Sequence, residues 1–189
     1  GKAATMYVMM DKINDVIQGA VYSLPLKMES GTMRAAKSPV DGQLYYSGLT
    51  GWQAGATQEG SIQRLRYTGK SGIYLTKAKA RKDRLQLTFT EPISPKSINK
   101  ESFTASAWNY QWSKGYGSPQ FKPSEPETRG IDELEIDSLE LSDDGLTLTV
   151  EIPNLNPCHN LKLGFAVKGE NGAELSGPVY FTIHELPES

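Results

Sequence analysis

Four aromatic residues are the part of this chain best suited to binding. Trp108, Tyr110 and Trp112 stand at every second position. In an extended strand such residues project from one face, roughly 7 Å apart. Rings at that spacing can stack on successive pyranose faces, and Tyr116 extends the row. The competing reading is that the same rings fill a β-sandwich core or cover a seam between two segments, because aromatic side chains bring large apolar area to either place. Residues 115–130, with Pro119, Pro123 and Pro126, form a long irregular stretch beside them. Long loops are where binding residues concentrate, which keeps the sugar reading open.

The other residues capable of chemistry do not assemble into a constellation. Lys77, Lys79, Arg81, Lys82 and Arg84 make a basic run, and residues 125–144 carry nine acidic side chains from Glu125 to Asp144. The two runs could face each other across neighbouring strands or present opposite patches to other modules. Charge that keeps strand edges solvated explains them more simply. The acidic run lacks the alternating Asp/Asn, Gly and distal Glu of a calcium loop. His159 and His184 have no metal-ligand spacing, and Cys158 stands alone, so no metal site is expected. Glu59 and Glu91 have no paired carboxylate, and no Gly-x-Ser-x-Gly elbow is present. No catalytic residue and no cofactor are therefore predicted, and the chain reads as a non-enzyme.

Composition narrows the partners. The 189 residues carry a net charge of −2, which gives no electrostatic reason to expect nucleic acid. No apolar run approaches the roughly 20 residues of a membrane span, so membrane insertion is not expected. Carbohydrate is the partner that the aromatic row offers; other domains of a parent polypeptide are the partners that the family resemblance of the motifs below implies.

The elements that must position these residues are strands. Residues 6–10 and 15–24 read as two strands, with a helical stripe through Met6, Met9, Met10, Ile13, Val16 and Ile17 as the rival pattern. Residues 32–36 and 43–47 flank an Asp41-Gly42 turn, both of whose residues tolerate positive φ. Glycines at 48, 51, 55 and 60 mark a loop before an alternating run at 61–67. Beyond the glycines at 69 and 72, strands are expected at 85–89, 103–112, 134–141, 146–150, 161–167 and 179–183. Leu85, Leu87 and Phe89 alternate with polar residues as a half-buried strand does. This density of short strands predicts an all-β chain: an Ig-like antiparallel β-sandwich over residues 70–189, preceded by a small antiparallel sheet over residues 1–69. A three-stranded sheet needs a covered face. Tyr45, Trp52 and Tyr67 are therefore expected to pack between the segments.

Two motifs carry a resemblance. Leu85-Gln-Leu-Thr-Phe89-Thr-Glu91-Pro92, followed by Leu141-Ser142-Asp-Asp144-Gly145-Leu-Thr147-Leu148-Thr-Val150, is similar to bacterial Ig-like domains. Over nearly the whole chain, Asp41-Gly42-Gln43-Leu44-Tyr45, Gly51-Trp52-Gln53, Gln63-Arg64-Leu-Arg66-Tyr67-Thr68-Gly69 and Trp108-Asn109-Tyr110-Gln-Trp112 resemble the last propeller blade and following sandwich of large exported bacterial quinoproteins. Those proteins are of the sorbosone-dehydrogenase-like, membrane-bound dehydrogenase or haem-binding type. A blade needs roughly 40–50 residues and a propeller several blades, so the chain reads as a piece of something larger. The resemblance implies a periplasmic or extracellular setting and a structural or interaction module beside dehydrogenase-like chemistry held elsewhere. It does not supply a haem motif, since no Cys-x-x-Cys-His occurs.

Overall fold

The computed structural model describes residues 3–51, 55–70 and 72–187. In chain order the strands are β1 (Met6–Ile13), β2 (Val16–Ser23), β3 (Gly31–Lys37), β4 (Leu44–Leu49), β5 (Gly60–Leu65), β6 (Leu75–Arg81), β7 (Arg84–Phe89), β8 (Thr104–Trp108), β9 (Asp132–Leu134), β10 (Leu139–Leu141), β11 (Thr147–Glu151), β12 (Cys158–Lys168) and β13 (Glu174–Ile183). Two 3-10 turns, Pro95–Ser97 and Lys100–Ser102, are the only helical pieces among the described residues. The strands form three antiparallel sheets, ordered β1-β2-β13-β12-β8-β9, β10-β11-β7-β6 and β3-β4-β5. The fold is all-β, and the two larger sheets make an antiparallel sandwich.

Two compact units divide the chain: Val8–Tyr22 with Ser71–Ser189, and Gly1–Tyr7 with Ser23–Lys70. In the larger, strand alternation builds the core. Leu85 and Leu87 of β7 lie beside Val150 and Leu148 of β11, and all four are wholly buried. Leu161 and Leu163 of β12 and Val179 of β13 are buried as completely. Each such side chain contributes about 1.5–3 kcal/mol by leaving water. Phe165 of β12 ties the two sheets together: its ring lies 6.5 Å from Phe89, 6.4 Å from Phe103 and 6.3 Å from Tyr22. Gly177 stands opposite Phe165 in the β12–β13 register, and a Cβ there would collide with the ring. The glycine makes the space that the ring fills.

Polar residues close the ends and one flank. At the tight turn into β11, Asp144 accepts from the Ser142 hydroxyl at 2.6 Å and from the Leu146 N–H at 2.9 Å. Those bonds, the Ser142 one foremost, hold the Asp144 carboxyl below the usual range. Gly145 at φ 70° completes the turn, in a region open to glycine at no steric cost. On the flank, Arg81 of β6 meets Asp11 of β1 at 2.6 Å, with Lys79 at 3.8 Å. Both β1 and β6 end their sheets, so this ion pair bridges the two sheet edges.

The two strands expected over 6–10 and 15–24 are present as β1 and β2, and the rival helical stripe is not adopted; Asn14 and Asp15 turn the chain between them, with Asn14 at φ 52°. Three expectations are corrected. Residues 8–22 belong with the sandwich rather than with a 1–69 segment, because β2 pairs with β13 and sends Ala20 and Tyr22 into the core. The single strand expected over 134–141 is two, β9 and β10, which belong to different sheets. The extended run over 103–112 stops as a strand at Trp108.

The smaller unit is thin. Its sheet β3-β4-β5 buries Tyr46, while β3 has no buried residue. Met28 and Ser30 are also buried, and the Ser30 and Ser61 hydroxyls share a hydrogen bond of 2.5 Å. Tyr45 is half-buried and donates to Asp41 at 2.8 Å. Tyr67 is exposed, and Trp52 lies outside the described residues.

Candidate functional site

The candidate site is the loop over residues 109–131, between β8 and β9. β8 delivers the chain to it. Ala105 and Ala107 face the core, and β8 pairs with β12 so that Trp108 lies beside Asn160. Trp108 is buried, and its indole N–H has no hydrogen-bond partner among the described groups. It is a core residue, which settles one ring of the expected platform in favour of packing.

Past Trp108 the chain is held by specific bonds. Asn109 and Phe121 exchange both backbone bonds, at 2.7 and 3.0 Å, and Phe121 is buried. The Asn109 side-chain oxygen accepts the His159 N–H at 2.8 Å, and His159 Nδ1 accepts the Tyr110 N–H at 2.9 Å. The His159 ring stacks on Tyr110 at 6.2 Å and 20°. Gln111 receives Ser118 Oγ as acceptor for its N–H at 3.0 Å and donates its amide to the Pro126 carbonyl at 3.1 Å. On the return path, Gly130 N–H donates to Gln120 at 2.9 Å and Lys122 N–H to Thr128 at 3.0 Å. Asp132 finishes the loop by accepting from Ser124 N–H and Oγ, at 2.8 and 2.7 Å. A loop of this length would otherwise be free to change shape.

The tie points leave the tip in water. Trp112 and Tyr116 are 103% and 109% exposed, and Tyr110 is 44% exposed. The four predicted aromatics therefore separate: Trp108 is buried in the core, Tyr110 rests half-covered on His159, and Trp112 and Tyr116 are free. They do not form one strand face, because the strand that would align them ends at Trp108. The anchors Asn109, Phe121, His159 and Asp132 were missed as loop-holding residues. Asn109, between two aromatics at a strand end, is the one with a signal, since Asn side chains bond nearby backbone readily.

Elsewhere, several polar and titratable groups are engaged. A recess of about 640 Å³ lies by the β12–β13 turn. There Ser97 Oγ accepts the Lys168 N–H at 3.0 Å and donates to the Ser94 carbonyl at 2.8 Å. Lys168 meets Glu174 at 2.6 Å, and that bond lowers the exposed Glu174 carboxyl. Burial pushes the Cys158 thiol up to about 12, so it is protonated and unreactive at neutral pH. His184 gives its N–H to the Gln18 side chain at 2.8 Å. Of the basic run, Lys79 and Arg81 meet Asp11, and Arg84 meets Glu151. Among the described residues, no three His, Cys, Asp or Glu side chains gather as a metal site.

The fold defines the class, an all-β sandwich with a small appended sheet. Set against protein-family models, curated proteins and solved structures, the chain matches none.

Proposed function

We propose that the chain is a non-catalytic interaction module of a larger exported, propeller-containing, oxidoreductase-like protein, and that its contact surface is the aromatic loop over residues 109–131. One observation carries the contact reading. Trp112 and Tyr116 stand wholly in water on a loop whose roots and middle are hydrogen-bonded. The Gln111 N–H to Ser118 Oγ bond closes the backbone on either side of the two rings, so less loop freedom is lost when a partner covers them. The exported, oxidoreductase-like setting rests on the motif resemblance alone. In the β12–β13 recess Ser97, Lys168 and Glu174 are bonded to one another's backbone or side chains, which supports leaving catalysis out.

A second reading is favoured by the company the rings keep. The exposed rings of Trp112 and Tyr116 offer faces for stacking on sugar rings, on a loop that also carries polar side chains. One titration separates the two. Soluble oligosaccharides of several classes are added while tryptophan emission is followed. A saturable shift that disappears in Trp112→Ala establishes the carbohydrate reading. Silence in every sugar class, with capture of a neighbouring module of the parent that also needs Trp112, establishes the module reading. If neither sugar nor module binding depends on Trp112 or Tyr116, the proposed surface is wrong.

A further inference from the structure

Strand β12 begins beside the root of the aromatic loop, and its second residue, His159, clasps that root. The last rung between β8 and β12 joins Trp108 to Asn160. Beyond it the chain leaves the strand, and side chains continue the ladder. Asn109 Oδ1 accepts the His159 N–H at 2.8 Å, and His159 Nδ1 accepts the Tyr110 N–H at 2.9 Å. The Tyr110 and His159 rings stack at 6.2 Å and 20°. Gln111 and the exposed Trp112 follow directly.

The direction of the Tyr110 bond fixes where the imidazole carries its hydrogen. An N–H donates only to a ring nitrogen that bears none, so the hydrogen of the neutral ring is on Nε2. His159 is exposed, so solvent delivers protons to it directly. When Nδ1 takes one, both ring nitrogens become donors. Two donors then face each other, and the bond to the Tyr110 N–H is lost. The phenol face tolerates the added charge, so the backbone bond is what gives way. Histidine is the side chain that ordinarily changes charge between pH 5 and 8. The groups against His159 are Asn109 and Tyr110 from the loop and Thr182 from β13, whose hydroxyl donates to the His159 carbonyl at 3.1 Å. The next titratable residues are Lys162 along β12, Tyr180 in β13, and His184 and Glu185 just past it; β8 carries none, and the first charge on the loop is Lys114.

We propose that His159 is a pH-sensitive latch on the aromatic loop: a proton on Nδ1 frees the Tyr110 N–H, and residues 110–118 lose their tie to β12. The inference rests on reading that loop as the contact surface. It makes the surface firm near pH 8 and slack near pH 5. The other ties at this root do not titrate with it. Asn109 and Phe121 still exchange both backbone bonds, and the Gln111 N–H still donates to Ser118. The change is therefore confined to the stretch that carries Trp112 and Tyr116. A partner covering those rings in acid meets a looser loop, with more freedom to lose on binding.

The test is NMR and amide exchange of the 189-residue chain between pH 8 and pH 5, with no partner added. The Tyr110 amide should lose roughly two- to tenfold of its protection, after division by the intrinsic exchange rate, because one hydrogen bond is lost. Its chemical shift should follow the same curve as the His159 ring signals, and the heteronuclear NOE of the Trp112 indole should fall with it. In His159→Asn, whose side-chain oxygen accepts but does not titrate, Tyr110 protection should stay constant over the range. His184→Asn should respond as the native chain does. A thermal melt at pH 8 verifies that the variants fold, and His159→Gln replaces His159→Asn if that variant does not. A Tyr110 amide indifferent to pH, a response that persists without His159, or one that disappears with His184 overturns the latch. None of these results bears on the contact reading, which Trp112→Ala tests separately, and a loop that binds nothing leaves the latch measurable.

Discussion

Replacing Trp112 by alanine separates binding from folding more cleanly than any other change in this chain. An aromatic side chain carries about 150–250 Å² of surface, and Trp112 at 103% exposure commits none of it to the fold. A partner stacked on one face would cover about half, roughly 100 Å², which at ~25 cal/mol per Å² is ~2.5 kcal/mol. Since about 1.4 kcal/mol is a tenfold change, Trp112→Ala should weaken binding by roughly sixtyfold. Its effect on stability should stay within about 0.5 kcal/mol, or under ~2 °C in Tm. Trp108→Ala is the internal contrast. Trp108 is 9% exposed, and truncating a buried tryptophan costs about 3–5 kcal/mol, or roughly 6–20 °C. The assay is fluorescence or calorimetric titration with the ligand or module that binds the native chain, with a thermal melt of each variant. The reasoning is refuted if Trp112→Ala binds as tightly as the native chain, or if it lowers Tm as far as Trp108→Ala does.

Three further outcomes are expected. Arg81→Met leaves the Asp11 carboxylate, 9% exposed, with only Lys79 at 3.8 Å; urea unfolding should show a loss of about 2 kcal/mol, reduced from the fully buried case by the partial exposure of Arg81, and Asp11→Asn in the same chain should restore part of it. Gly177→Ala drives a Cβ into the Phe165 ring and should cost about 1–3 kcal/mol, with Phe165→Leu relieving some of that cost when the two are combined. The Cys158 thiol, raised by burial from 9.0 to about 12, favours the folded state only while protonated. That contribution is fully present below about pH 9 and is lost as pH rises toward 12. Native protein should therefore lose more stability over this window than Cys158→Ala, and a thiol reagent at neutral pH should react only on unfolding.

Much of the β architecture was legible residue by residue. Leu85, Leu87 and Phe89 alternate, and their strand is half-buried as the pattern requires. The Asp144-Gly145 pair marked its turn because few residues other than Asn, Asp and Gly suit such backbone. What misled was pattern without partner. Residues 134–141 look like one strand because their apolar spacing is nearly continuous, yet the chain crosses between sheets there. Residues 6–17 supported two periods because methionine suits a helix face and a strand face alike. The aromatic row suffered the same way: alternate spacing aligns rings only while the backbone stays extended, and Asn109 leaves the strand to pair with Phe121.

Alternation, turn residues and lone Cys158 determined the all-β class, most strand positions and the lack of a disulfide framework. Those properties depend on near neighbours in sequence, whose side-chain directions and φ preferences are local. Tertiary structure alone decided that residues 8–22 join the sandwich and that Trp108 is buried while Trp112 and Tyr116 stand free. Each of these depends on which distant strand supplies the next row of hydrogen bonds, and β2 finds β13 from more than 150 residues away, as the Tyr22 hydroxyl bond to the Ser176 carbonyl records.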